Sequence, residues 1–113
     1  MKRIFIVFFI LIVVASCGLF SSKSTDITVE LLNKTQNIPI GVILSEGQNV
    51  YKQKICVEGF SSSRILINGT YTLKNNIDTC FIGDWYSPTD TLRIEPLDKA
   101  VSGVLSFRYY FYY

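Results

Sequence analysis

Histidine is absent from this chain of 113 residues. That removes Ser-His-Asp and Cys-His nucleophile systems, which need an imidazole to take the nucleophile's proton. It also removes the commonest metal ligand. The three cysteines, Cys17, Cys56 and Cys80, form no Cys-x-x-Cys pair, so the spacing of a structural zinc site is missing. Charged residues are sparse, at 18% of the chain. The carboxylates are scattered over separate segments, with no Asp-x-Asp or Glu-x-x-Glu cluster. Glycine-rich phosphate loops and internal repeats are also lacking. Two carboxylates meeting from distant segments, as in glycosidases, are the one remaining route to catalysis. The expectation is a non-enzymatic chain with no cofactor, no metal and no small-molecule substrate.

What is present begins at the N-terminus, MKRIFIVFFILIVVASC. Lys2 and Arg3 give a positive start, and residues 4–14 are an unbroken apolar run of 11. A membrane-crossing helix needs about 20 apolar residues, so this run is short for one. Ala15 and Ser16 then place two small residues before Cys17. A basic start, an apolar core and a small-residue cleavage site make a secretory pattern.

With Val14-Ala15-Ser16-Cys17 standing as a lipobox, this segment resembles the signal peptide of bacterial lipoproteins. Val14 takes the place where leucine is the common residue. The resemblance implies that residues 1–16 are removed and that Cys17 becomes the lipid-bearing first residue. Stable anchoring needs more than one acyl chain, and mature lipoproteins carry two or three. The partner implied first is therefore a membrane. Gly18, rather than Asp, follows the cysteine. In the lipoprotein sorting pattern this implies the outer membrane, facing the periplasm, with the cell surface as the alternative. An ordinary signal peptide would instead release a soluble secreted domain. The triplets Asn33-Lys34-Thr35 and Asn68-Gly69-Thr70 keep a eukaryotic or viral secreted chain open as well.

Cleavage would leave 97 of the 113 residues, enough for one small domain. It would also lower the basic count from 11 to 9, against 9 acidic residues. The mature net charge is then zero, and no basic surface argues for nucleic acid. Cys56 and Cys80 form an even pair in an exported chain, which reads as a disulfide. Closing a loop of about 25 residues contributes roughly 3–4 kcal/mol in the chain-entropy model.

Residues 17–25 read as the lipidated cysteine and a polar tether, and residues 26–113 as a β domain. Residues 26–33, 38–44 and 49–57 alternate apolar and polar side chains with period two. Residues 58–63, ending in three serines, read as a loop. Asn68-Gly69 between RILI and TYTL is a strong hairpin signal, because both turn positions favour positive φ. A two-residue loop would pair Ile67 with Thr70 and Leu66 with Tyr71. Asn75-Asn76 reads as the end of that hairpin. Further strands are expected at 79–82, 91–95 and 104–113. The sum is an all-β sandwich or small barrel-like domain of about 7–8 short, mostly antiparallel strands.

Two segments stand out for binding. In SFRYYFYY, Phe107, Tyr109, Phe111 and Tyr113 share one face, and Arg108, Tyr110 and Tyr112 share the other. Tyrosine and arginine are enriched at interface hot spots, so the second face is a candidate for a protein partner in the envelope. The alternative is an ordinary strand with exposed tyrosines. Trp85 and Tyr86 lie in the turn-rich GDWYSPTD. They read either as a contact loop or as a cover for the disulfide and core edge. The leading expectation is an accessory subunit of an envelope or secretion assembly. An inhibitor lipoprotein, of the kind that blocks lysozyme, is the rival. An inhibitor would act through the Trp85 loop, and an assembly subunit through the Tyr/Arg face.

Overall fold

The computed structural model describes residues 21–113. The expected lipidation site, Cys17, lies outside them. The described chain contains no helix and is built from six strands: β1 Ser22–Glu30, β2 Gln36–Gly41, β3 Lys52–Ile67, β4 Tyr71–Asp84, β5 Thr89–Pro96 and β6 Gly103–Tyr112. All pairings are antiparallel. The sheet order is β1-β6-β3-β5-β2, with β4 on the other edge of β3. It curls into a nearly closed barrel, and the Lys23 ammonium of β1 meets the Ile43 carbonyl just past β2.

Six strands stand where seven or eight were expected, because two pairs of short strands are fused. Residues 49–57 and 64–67 become the single β3, and 70–74 and 79–82 become β4. The stretch read as a loop, 58–63, is therefore strand, with an irregularity between Ser61 and Ile65. Residues 62–64 have no ladder partner, and the serines supply other bonds in their place. Ser61 Oγ donates to Ser63 O at 2.6 Å, Ser63 Oγ donates to Ala100 O at 2.6 Å, and Ser62 Oγ accepts from Ser102 N at 2.8 Å. Short hydroxyls thus satisfy backbone groups that a bend leaves without ladder partners. On β4 the matching bend is Asn75 at φ 65°. Asparagine is among the few residues other than glycine that enter this region cheaply.

The long β3–β4 hairpin therefore folds over on itself. Its first half of β3 pairs with β6, and its last residues pair with β5. Between these layers lie Leu105, Phe107, Tyr109 and Phe111 of β6, with Ile55, Ile65, Ile67, Leu92 and Ile94, all buried. The alternation read from the last strand thus holds, with Arg108 exposed and Tyr110 and Tyr112 half-buried on the outer side.

The hairpin register differs from the expected one. Ile67 pairs with Tyr71, Leu66 with Thr72 and Ile65 with Leu73. Asn68 and Gly69 do take positive φ, at 52° and 70°, but Thr70 is an additional loop residue. A slip of one residue swaps the two faces of a strand. The expected register would have set Thr70 and Thr72 opposite the buried Ile67 and Ile65. The observed one sets Tyr71 and Leu73 there, and both pack against the core. Apolar burial outweighs the preference for a two-residue turn.

Two glycines let β6 come close to β3. Gly59 has φ +143°, and a Cβ built on it would stand 2.2 Å from the Val104 carbonyl oxygen. At Gly103, φ +136°, the same atom would stand 1.9 Å from the Phe60 oxygen.

Candidate binding face

Antiparallel register sets the outward side chains of β1, β6, β3 and β4 in rows. Ser22, Tyr112, Lys52 and Asp84 form the first row, and Ser24, Tyr110, Lys54 and Ile82 the second. Asp26, Arg108, Cys56 and Cys80 form the third. The expected disulfide is present between Cys56 and Cys80, which face each other across β3 and β4 with Cα atoms 4.0 Å apart. It clamps the strand that carries the two lysines.

Each lysine lies over a tyrosine of the neighbouring strand. Lys52 Nζ is 4.9 Å from the Tyr112 ring centroid, and Lys54 Nζ is 5.2 Å from that of Tyr110. The two rings lie along β6 with centroids 6.5 Å apart. Cation–π pairs of this kind are worth about 0.5–1 kcal/mol at exposed sites. Their greater effect is to hold long side chains in one arrangement. Arg108 is fixed too, by a bidentate ion pair in which Nε and Nη2 donate to Asp26 at 2.5 and 3.0 Å. The hydrogen bond from Arg108 holds the Asp26 carboxyl below the usual range; desolvation opposes it in part, and the arginine charge adds a smaller lowering effect. The arginine pKa rises in turn, mainly through Asp26 and secondarily through Tyr110. Arg108, Tyr110 and Tyr112 are thus brought together as a rigid, mixed aromatic–cationic strip.

Trp85 and Tyr86 are not part of that strip. Trp85 packs against the core, and its indole N–H donates to the Thr89 carbonyl at 3.0 Å. Of its two expected covering roles, the core edge is the one observed, since alternation along β4 puts the disulfide on the opposite face. Tyr86 is the exposed tip of the same loop, 77% accessible. The loop is held from within by Thr89 N donating to Ser87 Oγ at 3.1 Å.

Several polar contacts carried no sequence signal, because their partners are distant in the chain. Buried Gln53 donates through Nε2 to Asp90 at 2.8 Å. Both sequon asparagines accept backbone bonds through Oδ1: Asn33 from Val101 N at 2.7 Å, and Asn68 from Arg93 N at 2.8 Å. Gln53, Asn68, Asp90, Trp85 and the stacked Tyr71 and Phe81 line a shallow cleft on the flank of the barrel. Among the described residues no group of three or more His, Cys, Asp or Glu is placed to hold a metal ion.

No protein-family model matches this chain, and no curated protein is significantly similar to it.

Proposed function

We propose that this chain is an outer-membrane lipoprotein that works without catalysis, as a protein-binding accessory subunit of an envelope or secretion assembly. Cys17 carries the lipid, and the domain faces the periplasm. The observation that carries the binding role is the strip of Arg108 and Tyr110 with Lys54, held by Asp26 and by cation–π contact on a disulfide-clamped sheet. Preordered arginine and tyrosine lose little entropy on binding, which suits them to hot spots.

The inhibitor reading has one observation of its own. Tyr86 projects from a loop pinned by the Trp85 indole, a form suited to entering an enzyme cleft. Photo-crosslinking amino acids at Tyr110 and at Tyr86, in membranes of the producing cell, separate the two. A discrete adduct from position 110 that disappears with Arg108→Ala supports the accessory subunit. An adduct from position 86 alone favours the inhibitor. The anchor is read separately, by intact mass and membrane fractionation of wild type against Cys17→Ala. Soluble wild-type protein without acyl mass sinks the lipoprotein reading.

A further inference from the structure

We infer that the domain stands on the membrane through one end of its barrel, the end marked by Ile43, Tyr51, Tyr86, Tyr112 and Tyr113, and that this rim seats in the phospholipid headgroup layer. The inference rests on the lipoprotein reading of Cys17.

Chain length sets the geometry. Strand β1 begins at Ser22, so pairing reaches into the segment read as tether. Tyr113 N donates to Ser21 O at 3.1 Å, which fixes Ser21 to the end of β6. From Cys17 to Ser21 the chain spans at most about 14 Å, even fully extended. An acylated Cys17 therefore holds this end of the barrel against the bilayer.

The same end carries the side chains that an interface accepts. Tyr51 N donates to Tyr112 O at 3.0 Å, which joins Tyr51 to the rim. The contact of Lys23 with the Ile43 carbonyl brings in Ile43. Val42 N donates to Pro88 O at 3.0 Å, which brings in the loop with Tyr86. Ile43 and Tyr86, at 88% and 77% accessible, are the two most exposed large apolar residues described. The opposite end exposes Leu32, Phe60, Leu97 and Val104, none above 51%. Tyrosine rings suit the headgroup layer, with an apolar body and a wet hydroxyl. Lys23, Lys52 and Lys54 at this end are matched in number by Glu46, Asp84 and Asp90, so the seat rests on the exposed apolar and tyrosine side chains and the short tether rather than on net charge. Free in solution, so small a rim binds lipid weakly. Tethered, it meets lipid at a local concentration on the order of millimolar, and weak affinity suffices.

The seat takes in Tyr112 at the near end of the binding strip and leaves Arg108, at its far end, free. Arg108 lies two rows from Tyr112 along β6, roughly 13 Å, beyond the 5–10 Å depth typical of interfacial burial.

The test uses the full chain, expressed in a bacterium, purified with its lipid and reconstituted in phosphatidylethanolamine–phosphatidylglycerol vesicles with brominated acyl chains. Single tryptophans are added at Ile43 and Tyr86, and for the far end at Leu97 and Val104, with wild-type Trp85 emission as the baseline. Emission added by Ile43→Trp and Tyr86→Trp is expected to fall by about half, and that from Leu97→Trp and Val104→Trp to stay nearly unquenched. Acyl mass on Cys17 with no quenching at positions 43 and 86, or equal quenching at both ends, overturns the seat and leaves the lipoprotein reading standing. Absence of acyl mass overturns both.

Discussion

Tyr71 stacks on Phe81 with ring centroids 3.7 Å apart, although both belong to β4 and ten residues separate them. A straight strand would hold them about 34 Å apart. The contact exists because β4 turns at Asn75 and β3 turns at its serines, so the hairpin's two halves face each other. Phe81→Ala should cost about 2 kcal/mol in urea unfolding, and a double-mutant cycle with Tyr71→Ala should return a coupling of about 1 kcal/mol. Additive losses would mean that the rings do not support each other.

Gly59 and Gly69 both have positive φ, but only Gly59 faces a backbone wall. Gly69→Ala should lose about 1–2 kcal/mol from the backbone conformation alone. Gly59→Ala must also push β6 away and should lose more than about 3 kcal/mol. Thermal melts of the two variants give the ranking directly, and equal losses would contradict the close approach.

Replacing Cys56 and Cys80 together by alanine should lower stability by about 2–4 kcal/mol. The strands are already paired around that position, so amide exchange should show the same β3–β4 ladder in the folded variant. A changed register would mean that the disulfide selects the pairing rather than locking it.

Tyr109 is fully buried, and its hydroxyl has no hydrogen-bond partner. Desolvation pushes its pKa up to about 12; the nearby Asn68 side chain opposes this without forming a well-placed hydrogen bond, and the Asp90 charge adds to the rise. An ordinary tyrosine titrates near 10. The folded state therefore keeps the proton more tightly than the unfolded chain does. Stability from this group is complete below about pH 10 and is lost as pH rises toward about 12. Tyr109→Phe should remove that alkaline loss and raise stability at neutral pH by about 1 kcal/mol. Calorimetry at pH 7 and pH 11 measures both, and a destabilised phenylalanine variant would show that the hydroxyl is satisfied.

The Asp26 carboxyl should titrate below the usual aspartate range in NMR, and Arg108→Ala should return it to normal. Its folded pKa is depressed, so its contribution is present above the unfolded value near 4 and disappears as pH falls through the folded one. An unshifted Asp26 in the wild-type protein would mean that the ion pair does not persist in solution.

Much of this protein follows from local pattern. Period-two alternation in residues 104–113 determined which side of β6 is core, because Phe107, Tyr109 and Phe111 could not all face water at reasonable cost. Asn68-Gly69 determined where a turn must lie, since few residues accept positive φ. The oxidisable pair Cys56 and Cys80 was legible for the same reason, from residue chemistry alone. Tertiary structure decided what local pattern left open. Residues 58–63 look like a loop until Ala100 and Ser102 offer partners to the serines. The hairpin register was decided by the core, which takes Tyr71 and Leu73 and rejects Thr70 and Thr72. The strip of Arg108, Tyr110 and Lys54 exists only where β1, β6 and β3 lie side by side. Such features depend on groups far apart in sequence, and no local periodicity carries their pairing.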